Sequence, residues 1–139
     1  MIEYENSVAF VIDTNEYAGN FEREMCAYVT GQIGECGVGS EYVEKGIPEQ
    51  FENIINMPDD NGCYRPVTCF PLKGTRDNSA VAIFFDSNNP PSKEQIELMK
   101  ERSNLFGENH KDWQGKPKPI SVTGFRMVSF KTTQDEIEI

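Results

Sequence analysis

Long hydrophobic runs are missing from this chain of 139 residues. No apolar stretch approaches the ~20 residues that a helix needs to cross a bilayer. The first residues, MIEYENS, have neither the basic start nor the apolar centre of a signal peptide. We therefore expect a cytoplasmic protein that contacts no membrane.

Residues that bind metals through nitrogen or sulfur are also scarce. The chain has one histidine, His110, and four cysteines, which are Cys26, Cys36, Cys63 and Cys69. No two cysteines have the short C-x2-4-C spacing of a structural zinc site. Without an export signal we expect free thiols in a reducing compartment, and we expect no cofactor.

Basic residues are nearly absent from the first half. Residues 1–60 contain 13 Asp or Glu against Arg23 and Lys45, a net charge of −11, whereas residues 61–139 have a net charge of +1. Such a field repels nucleic acids and attracts basic protein surfaces. We expect a basic protein partner and no direct binding of DNA or RNA.

Hydrophobic periodicity predicts the secondary structure. Apolar segments predict strands at residues 7–12, 66–72, 79–86 and 120–130, with a hairpin joining the second and third. Amphipathic patterns predict helices after Asn20, between Pro48 and Pro58, and from Ser92 to Gly107. The order β-α-α-β-β-α-β predicts one acidic α/β or α+β domain over residues 1–139, with a four-stranded mixed sheet, three helices and a loose tail at 131–139.

Polar and glycine residues predict where these elements end. Asn20 is expected to cap the first helix, and Gly31 to end it. Ser92 and Gln95 have the spacing of a capping box for the last helix. Gly124 predicts a bulge in the last strand.

Two segments resemble each other, AFVIDTN (9–15) and AIFFDSN (82–88), and each combines an apolar strand with an Asp-Thr/Ser-Asn turn. If the two strands are neighbours and parallel, Asp13 and Asp86 lie at one sheet edge, where carboxylates can hold Mg²⁺ or Mn²⁺. Glu16 or Glu24 could complete such a site for phosphodiester cleavage. FVIDTN resembles the opening motif of PIN-domain nucleases, which implies that Asp13 is a metal ligand.

Turn chemistry is the alternative explanation of the same residues. Asp and Asn after a strand accept backbone hydrogen bonds in Asx turns, so two similar turns need no metal. The chain has no basic groove near Asp13 in sequence to hold a polyanionic substrate. The glycine-rich segment GQIGECGVGSEY (31–42) does not have the glycine spacing of a phosphate-binding loop, so it favours a contact loop.

The leading functional hypothesis is a non-enzymatic inhibitor that blocks a basic, nucleic-acid-binding partner through its acidic surface. In size, charge and lack of an enzyme motif, the chain is similar to small acidic phage-encoded anti-defence proteins, including anti-CRISPR proteins and DNA mimics. That resemblance implies a host defence protein as the partner and the host cytoplasm as the location. The candidate contacts are Glu16, Glu22, Glu24, Glu35, Glu41, Glu44, Asp59, Asp60 and Trp113.

Two alternatives stay open from the sequence. One is a metal-dependent phosphodiesterase or nuclease centred on Asp13 and Asp86. The other is a small-molecule binding or sequestering protein that uses the glycine-rich segment. Trp113, the only tryptophan, either packs against the core from its polar loop or is presented to a partner.

Overall fold

The structure is a computed structural model that describes residues 7–31, 49–55, 57–58, 64–65, 67–68, 79–130 and 134–137. The strands are β1 (Ser7–Thr14), β2 (Met57–Pro58), β3 (Tyr64–Arg65), β4 (Val67–Thr68), β5 (Ala80–Asp86), β6 (Val122–Phe130) and β7 (Gln134–Ile137). The helices are α1 (Glu22–Val29) and α2 (Lys93–Asn109), with short 3-10 turns at Ala18–Asn20 and Glu49–Phe51.

The main sheet has the strand order β4-β5-β1-β6-β7, and all of its described pairings are antiparallel. Its three long strands are β5, β1 and β6, and β2 pairs separately with β3. The α+β class is therefore confirmed, whereas the predicted four-stranded mixed sheet is not, because the described strands pair antiparallel and number five in this sheet. The chain enters β5 at the end where β1 stops, since the Thr14 N–H donates to the Ser79 carbonyl at 2.9 Å.

β1 is apolar from residue 8 to residue 12, where both of its faces are buried. Side chains alternate between the faces of a strand. Phe10 and Ile12 belong to the cluster shared with the helices, whereas Ala9 and Val11 pack with Phe84 on the opposite face. A strand buried on both faces has the continuous hydrophobic sequence seen at residues 8–12.

The two helices pack together on the same face of the sheet. The helix-side core contains Phe21, Met25, Met99 and Phe106, together with Cys26, the only described cysteine. The main cluster therefore lies between the sheet and both helices.

The first helix begins later than the sequence predicted. α1 starts at Glu22 with Phe21 at its N-cap position and no side-chain cap, while Asn20 belongs to a 3-10 turn. The predicted Asn20 cap is wrong because the burial of Phe21, only 2% exposed, determines where the helix starts.

The second α-helix begins with the predicted capping box. Gln95 N–H donates to Ser92 Oγ at 3.1 Å, and Ser92 N–H donates to Gln95 Oε1 at 2.8 Å. Asn53 and Gln95 also exchange amide hydrogen bonds of 3.0 and 2.7 Å, which attach the chain near residue 53 to the start of α2. The predicted end at Gly107 is wrong, since α2 continues to Asn109.

Other predicted elements are absent or different. The only helical element in the described part of the segment between Pro48 and Pro58 is the 3-10 turn Glu49–Phe51, and Ile54 then bridges to Phe85. The prediction of three helices is therefore not confirmed, because the middle helix does not form in that part: Phe51 is buried from the 3-10 turn and Ile54 from its bridge to the sheet. The expected loose tail is also wrong at residues 134–137, where β7 pairs with β6.

Two further predictions are confirmed in part. Val67 and Thr68 pair antiparallel with β5, as a hairpin requires, while the rest of 66–72 and its loop lie outside the described residues. Asp13 pairs with Gly124 and Thr14 with Val122, so the register shifts next to Gly124 and leaves Thr123 without a partner on β1. Among the described residues, no helix is long and apolar enough to cross a membrane.

Candidate functional site

Asp13, the aspartate of the FVIDTN motif, forms an ion pair. Arg126 Nε donates to Asp13 Oδ2 at 2.8 Å, and Arg126 Nη2 donates to Asp13 Oδ1 at 3.2 Å. The Asp13 side chain is 22% exposed and the Arg126 side chain is 19% exposed. This bidentate contact uses both carboxylate oxygens, so the pair attaches the end of β1 to β6.

The next two residues of the motif also join neighbouring segments. Thr14 Oγ1 lies 2.9 Å from the Ser79 carbonyl and 3.0 Å from that of Glu16. Asn15 N–H donates to the Ser121 carbonyl at 3.1 Å, and Ser121 N–H donates to Asn15 Oδ1 at 3.2 Å. The Asp-Thr-Asn sequence therefore joins β1 to segments on both of its sides.

Asp86, the aspartate of the second motif, lies at the other end of the sheet. Asp13 pairs with Ala80 and Ser7 with Asp86, which separates the two aspartates by about 20 Å along the strands. Asp86 is exposed, and its Oδ1 accepts the Asn88 N–H at 2.8 Å in an Asx turn. The antiparallel register thus separates the proposed ligands Asp13 and Asp86, and the described residues contain no group of three or more metal-ligating side chains.

We predict that the Asp13–Arg126 contact contributes about 1 to 2 kcal/mol to stability. Removing either side chain leaves the charge of the other partly buried without this ion pair. Asp13→Ala and Arg126→Met should each destabilise the protein, and the double variant should lose less than the sum. Urea denaturation of all four proteins measures the coupling. Glu52→Ala, at an exposed acid, is the control, and purely additive losses would refute the contact's role.

His110 lies directly after α2 and is buried rather than in an open loop. Its ring lies 5.4 Å from the Phe106 ring and 6.0 Å from the Phe21 ring, measured between centroids. Nδ1 lies 2.9 Å from the Lys118 carbonyl oxygen, which can only accept, so the Nδ1–H donates to it. His110 therefore connects α2 to the far end of the loop that follows it.

Glu24 of α1 is electrostatically coupled to this histidine. Partial burial raises the pKa of Glu24 above its ordinary value of 4.5, and the nearby His110 opposes that rise. The raised pKa means that the folded protein holds this proton to higher pH than the unfolded chain does. Stability from this group is therefore complete below about pH 4.5 and is lost as the pH rises through the raised pKa.

We predict that Glu24→Gln stabilises the protein at neutral pH, because the amide carries no charge to desolvate. The gain should be less than about 1 kcal/mol, since water reaches much of the carboxyl group. Thermal unfolding from about pH 3.5 to about 7 should show the difference between variant and wild type shrinking as the pH falls. Glu52→Gln is the control at an exposed position outside α2, and a difference that stays constant over this range would contradict the prediction.

Residues 110–118 form a closely hydrogen-bonded loop, which we call the Trp113 hairpin. Lys118 N–H donates to the His110 carbonyl and Asp112 N–H to the Lys116 carbonyl, each at 2.8 Å. Asp112 Oδ1 accepts the N–H groups of Gln114 and Lys116, both at 2.9 Å. Gly115 adopts φ 80°, a left-handed conformation that suits glycine at the turn.

Trp113 lies at the tip of this hairpin and is 80% exposed, the most of any large apolar side chain described. Tyr17 and Leu105 follow at 56% and 38%. Trp113 therefore does not pack against the core, and its presentation to a partner stays a prediction. Three exposed lysines surround it in the sequence, namely Lys111, Lys116 and Lys118.

The outward face of α2 carries a row of acids that the sequence analysis did not single out. We call Glu94, Glu97, Glu101 and Glu108 the α2 glutamate row; all four are exposed. Their spacing of three, four and seven residues puts them on one helix face, opposite Met99 and Phe106. The described residues provide no ion-pair partner for them. The sequence contains the signal for this row, because acids at helical spacing predict a charged face in the same way that apolar residues predict a buried one.

The predicted acidic contacts in the first half have mixed outcomes. Glu16, Glu22 and Glu24 are all half-buried, and Glu24 faces His110, so none is a fully exposed contact. The remaining predicted acids lie outside the described residues, and they are Glu35, Glu41, Glu44, Asp59 and Asp60. Most of the glycine-rich segment lies outside the described residues as well.

No protein-family model, curated protein or solved structure matches this chain. Its function has to be inferred from its own residues.

Proposed function

We propose that this protein acts by binding, and that its acidic surface covers a basic surface of a protein partner. The α2 glutamate row carries the proposal, because it presents four exposed carboxylates on one face of a helix. Glu94–Glu97 and Glu97–Glu101 are like-charge neighbours, which weakens an isolated helix by a few tenths of a kcal/mol per pair. A basic surface placed over the row would relieve that repulsion.

The partner class that we propose is a nucleic-acid-binding protein of the host cytoplasm, as for anti-CRISPR proteins and DNA mimics. Glu94 and Glu108 are 14 residues apart, about 21 Å along the helix axis. Four charges over this length give roughly two-thirds of the linear density of one DNA strand, which has a charge every ~3.4 Å, and Lys93 and Lys100 lie among them. We therefore assign the rest of the contact to the acids of residues 1–60, whose net charge is −11.

The test is displacement of nucleic acid from a panel of purified basic nucleic-acid-binding proteins. Each panel member is loaded with fluorescent duplex DNA, the protein is added, and anisotropy reports release. We expect release from at least one member, and a loss of at least about tenfold in potency when Glu94, Glu97, Glu101 and Glu108 are all changed to Lys. Potency should also fall with added salt, because exposed charges are screened.

A matched variant separates charge from side-chain shape. The same four positions changed to Gln keep the shape and remove the charge, so potency should fall between that of the wild type and the Lys variant. Circular dichroism confirms that α2 remains folded in both. Failure to displace DNA from any panel member, or equal potency of all three proteins, would refute the proposal.

A further inference from the structure

The Trp113 hairpin has a fixed shape before any partner arrives. Its two ends are joined by the His110–Lys118 contacts, and Asp112 holds the backbone of Gln114 and Lys116 from inside the turn. Fixing the loop in advance lowers the conformational entropy that binding has to overcome. An exposed tryptophan on a fixed support is the kind of residue that dominates protein interfaces.

The charge of the hairpin is opposite to that of the protein. Asp112 is only partly exposed and its Oδ1 accepts backbone N–H groups, whereas all three lysines are exposed, so positive charge predominates on the surface of the hairpin. The described residues give Lys111, Lys116 and Lys118 no ion-pair partner. Three exposed lysines therefore lie within five residues of the exposed indole in the sequence, a group that we call the cationic rim, on a chain whose net charge is −10.

We propose that the Trp113 hairpin is a second docking element, which inserts its indole into an apolar pocket with an acidic rim on a protein partner. This inference rests on the proposed function, because it assigns the pocket to the same partner that the α2 glutamate row contacts. Apolar burial of a tryptophan provides affinity, and the paired rim charges provide orientation and selectivity.

Charge favours a protein pocket as the partner of the hairpin over two polyanions, a nucleic acid strand and an anionic membrane surface. Three lysines can neutralise about three phosphates, while the net charge of −10 repels the rest of a nucleic acid strand. An anionic membrane surface extends beyond the hairpin in all directions and meets the same repulsion. An acidic rim on a protein can be local, so it pairs with the lysines without facing the acidic remainder of the chain.

The position of the hairpin also constrains the partner. The α2 glutamate row ends at Glu108, and the hairpin begins at His110, so the two elements are adjacent along the chain. The partner should therefore present a basic strip of about 21 Å next to the acid-rimmed pocket. A surface that carries only one of these two features would engage only part of the site.

The local charge can be tested on the protein alone, because Trp113 is its only tryptophan. Iodide should quench Trp113 fluorescence more efficiently than caesium, although the whole protein is acidic, since the nearby lysines concentrate anions. The triple variant Lys111→Gln, Lys116→Gln, Lys118→Gln should reverse that order. Stronger quenching by caesium in the wild type would refute the cationic rim.

The partner chemistry is tested with a yeast-displayed library of small helical domains that have one randomised face. The library is first depleted on Trp113→Ser, and binders to the wild-type protein are then selected. We expect selected faces rich in Asp, Glu and large apolar residues, a blue shift of Trp113 emission, and affinity at least about tenfold weaker for the triple Gln variant. An oligothymidine strand and phosphatidylserine-containing vesicles are titrated in parallel.

Each outcome of these experiments either supports or overturns the proposed docking role of the hairpin. Basic or uncharged selected faces, or no binder that requires Trp113, would overturn the proposal. So would a shift of Trp113 emission by the oligothymidine or by the vesicles, which would assign the hairpin to that ligand instead. The quadruple Lys variant of the α2 glutamate row separates the two inferences. This variant should still bind the selected domains, because the hairpin is unchanged. If the wild-type protein binds these domains but displaces DNA from no panel member, the proposed function fails and the hairpin surface stands.

Discussion

Replacing Gly107 with alanine is expected to destabilise the protein by about 2 to 3 kcal/mol, although alanine favours helices by about 1 kcal/mol over glycine. A Cβ at Gly107 would overlap the backbone carbonyl oxygen of Ile120, and a backbone atom cannot move as a flexible side chain can. The Ile120 N–H also donates to the Gly107 carbonyl at 2.9 Å. Overpacking and the strained hydrogen bond together exceed the gain in helix propensity.

Chemical denaturation measures this loss, and Gly124→Ala provides the matched control. A Cβ at Gly124 would have no atom within 4 Å, so the same substitution should change stability by less than about 1 kcal/mol, or increase it slightly. Equal effects at the two glycines would show that the approach of residue 120 to α2 does not constrain the sequence.

The same glycine shows what the sequence could and could not predict. A glycine near the end of an amphipathic pattern predicts a helix end, and the capping box at Ser92 was correctly predicted because its hydrogen bonds are local. Gly107 instead serves a contact with Ile120, thirteen residues later and after the hairpin. Long-range contacts of this kind have no local pattern, so the extension of α2 to Asn109 could not be predicted.

Strand direction was beyond sequence reasoning for the same reason. AFVIDTN and AIFFDSN predicted two buried strands correctly, since a continuous apolar run indicates burial on both faces. Direction depends on the chain between them, which brings residue 79 back to Thr14. Antiparallel pairing then places Asp13 beside Arg126 and Asp86 in an exposed turn. Similar motifs thus have different structural roles.

The exposed site was predictable only in part. The sequence identified Trp113 as a possible contact residue but left its burial open, because exposure depends on how Asp112 and His110 fold the loop. The α2 glutamate row needed only the helical spacing. The acidic residues expected to bind a partner were chosen from the most charged half of the chain, yet those described there are half-buried.

Phe106→Ala is expected to have the largest effect of any single change considered, a loss of about 4 kcal/mol in the free energy of unfolding. Phe106 is fully buried, and its ring lies within 6.4 Å, centroid to centroid, of Phe21, Tyr28 and His110. The cavity would therefore open between α1, α2 and the base of the Trp113 hairpin. We expect a smaller difference between iodide and caesium quenching of Trp113 and weaker binding of the selected domains, although no atom of the hairpin is altered.

Neighbouring variants distinguish this coupling from a general loss of stability. Phe106→Leu fills most of the cavity and should restore most of the stability, whereas Leu105→Ala, at a partly exposed position on the same helix, should have little effect on either measurement. Quenching and binding are measured without denaturant, at a temperature where circular dichroism shows that all variants remain folded. If Phe106→Ala is destabilised but Trp113 quenching is unchanged, the hairpin is held by its own hydrogen bonds, and the core does not control the docking surface.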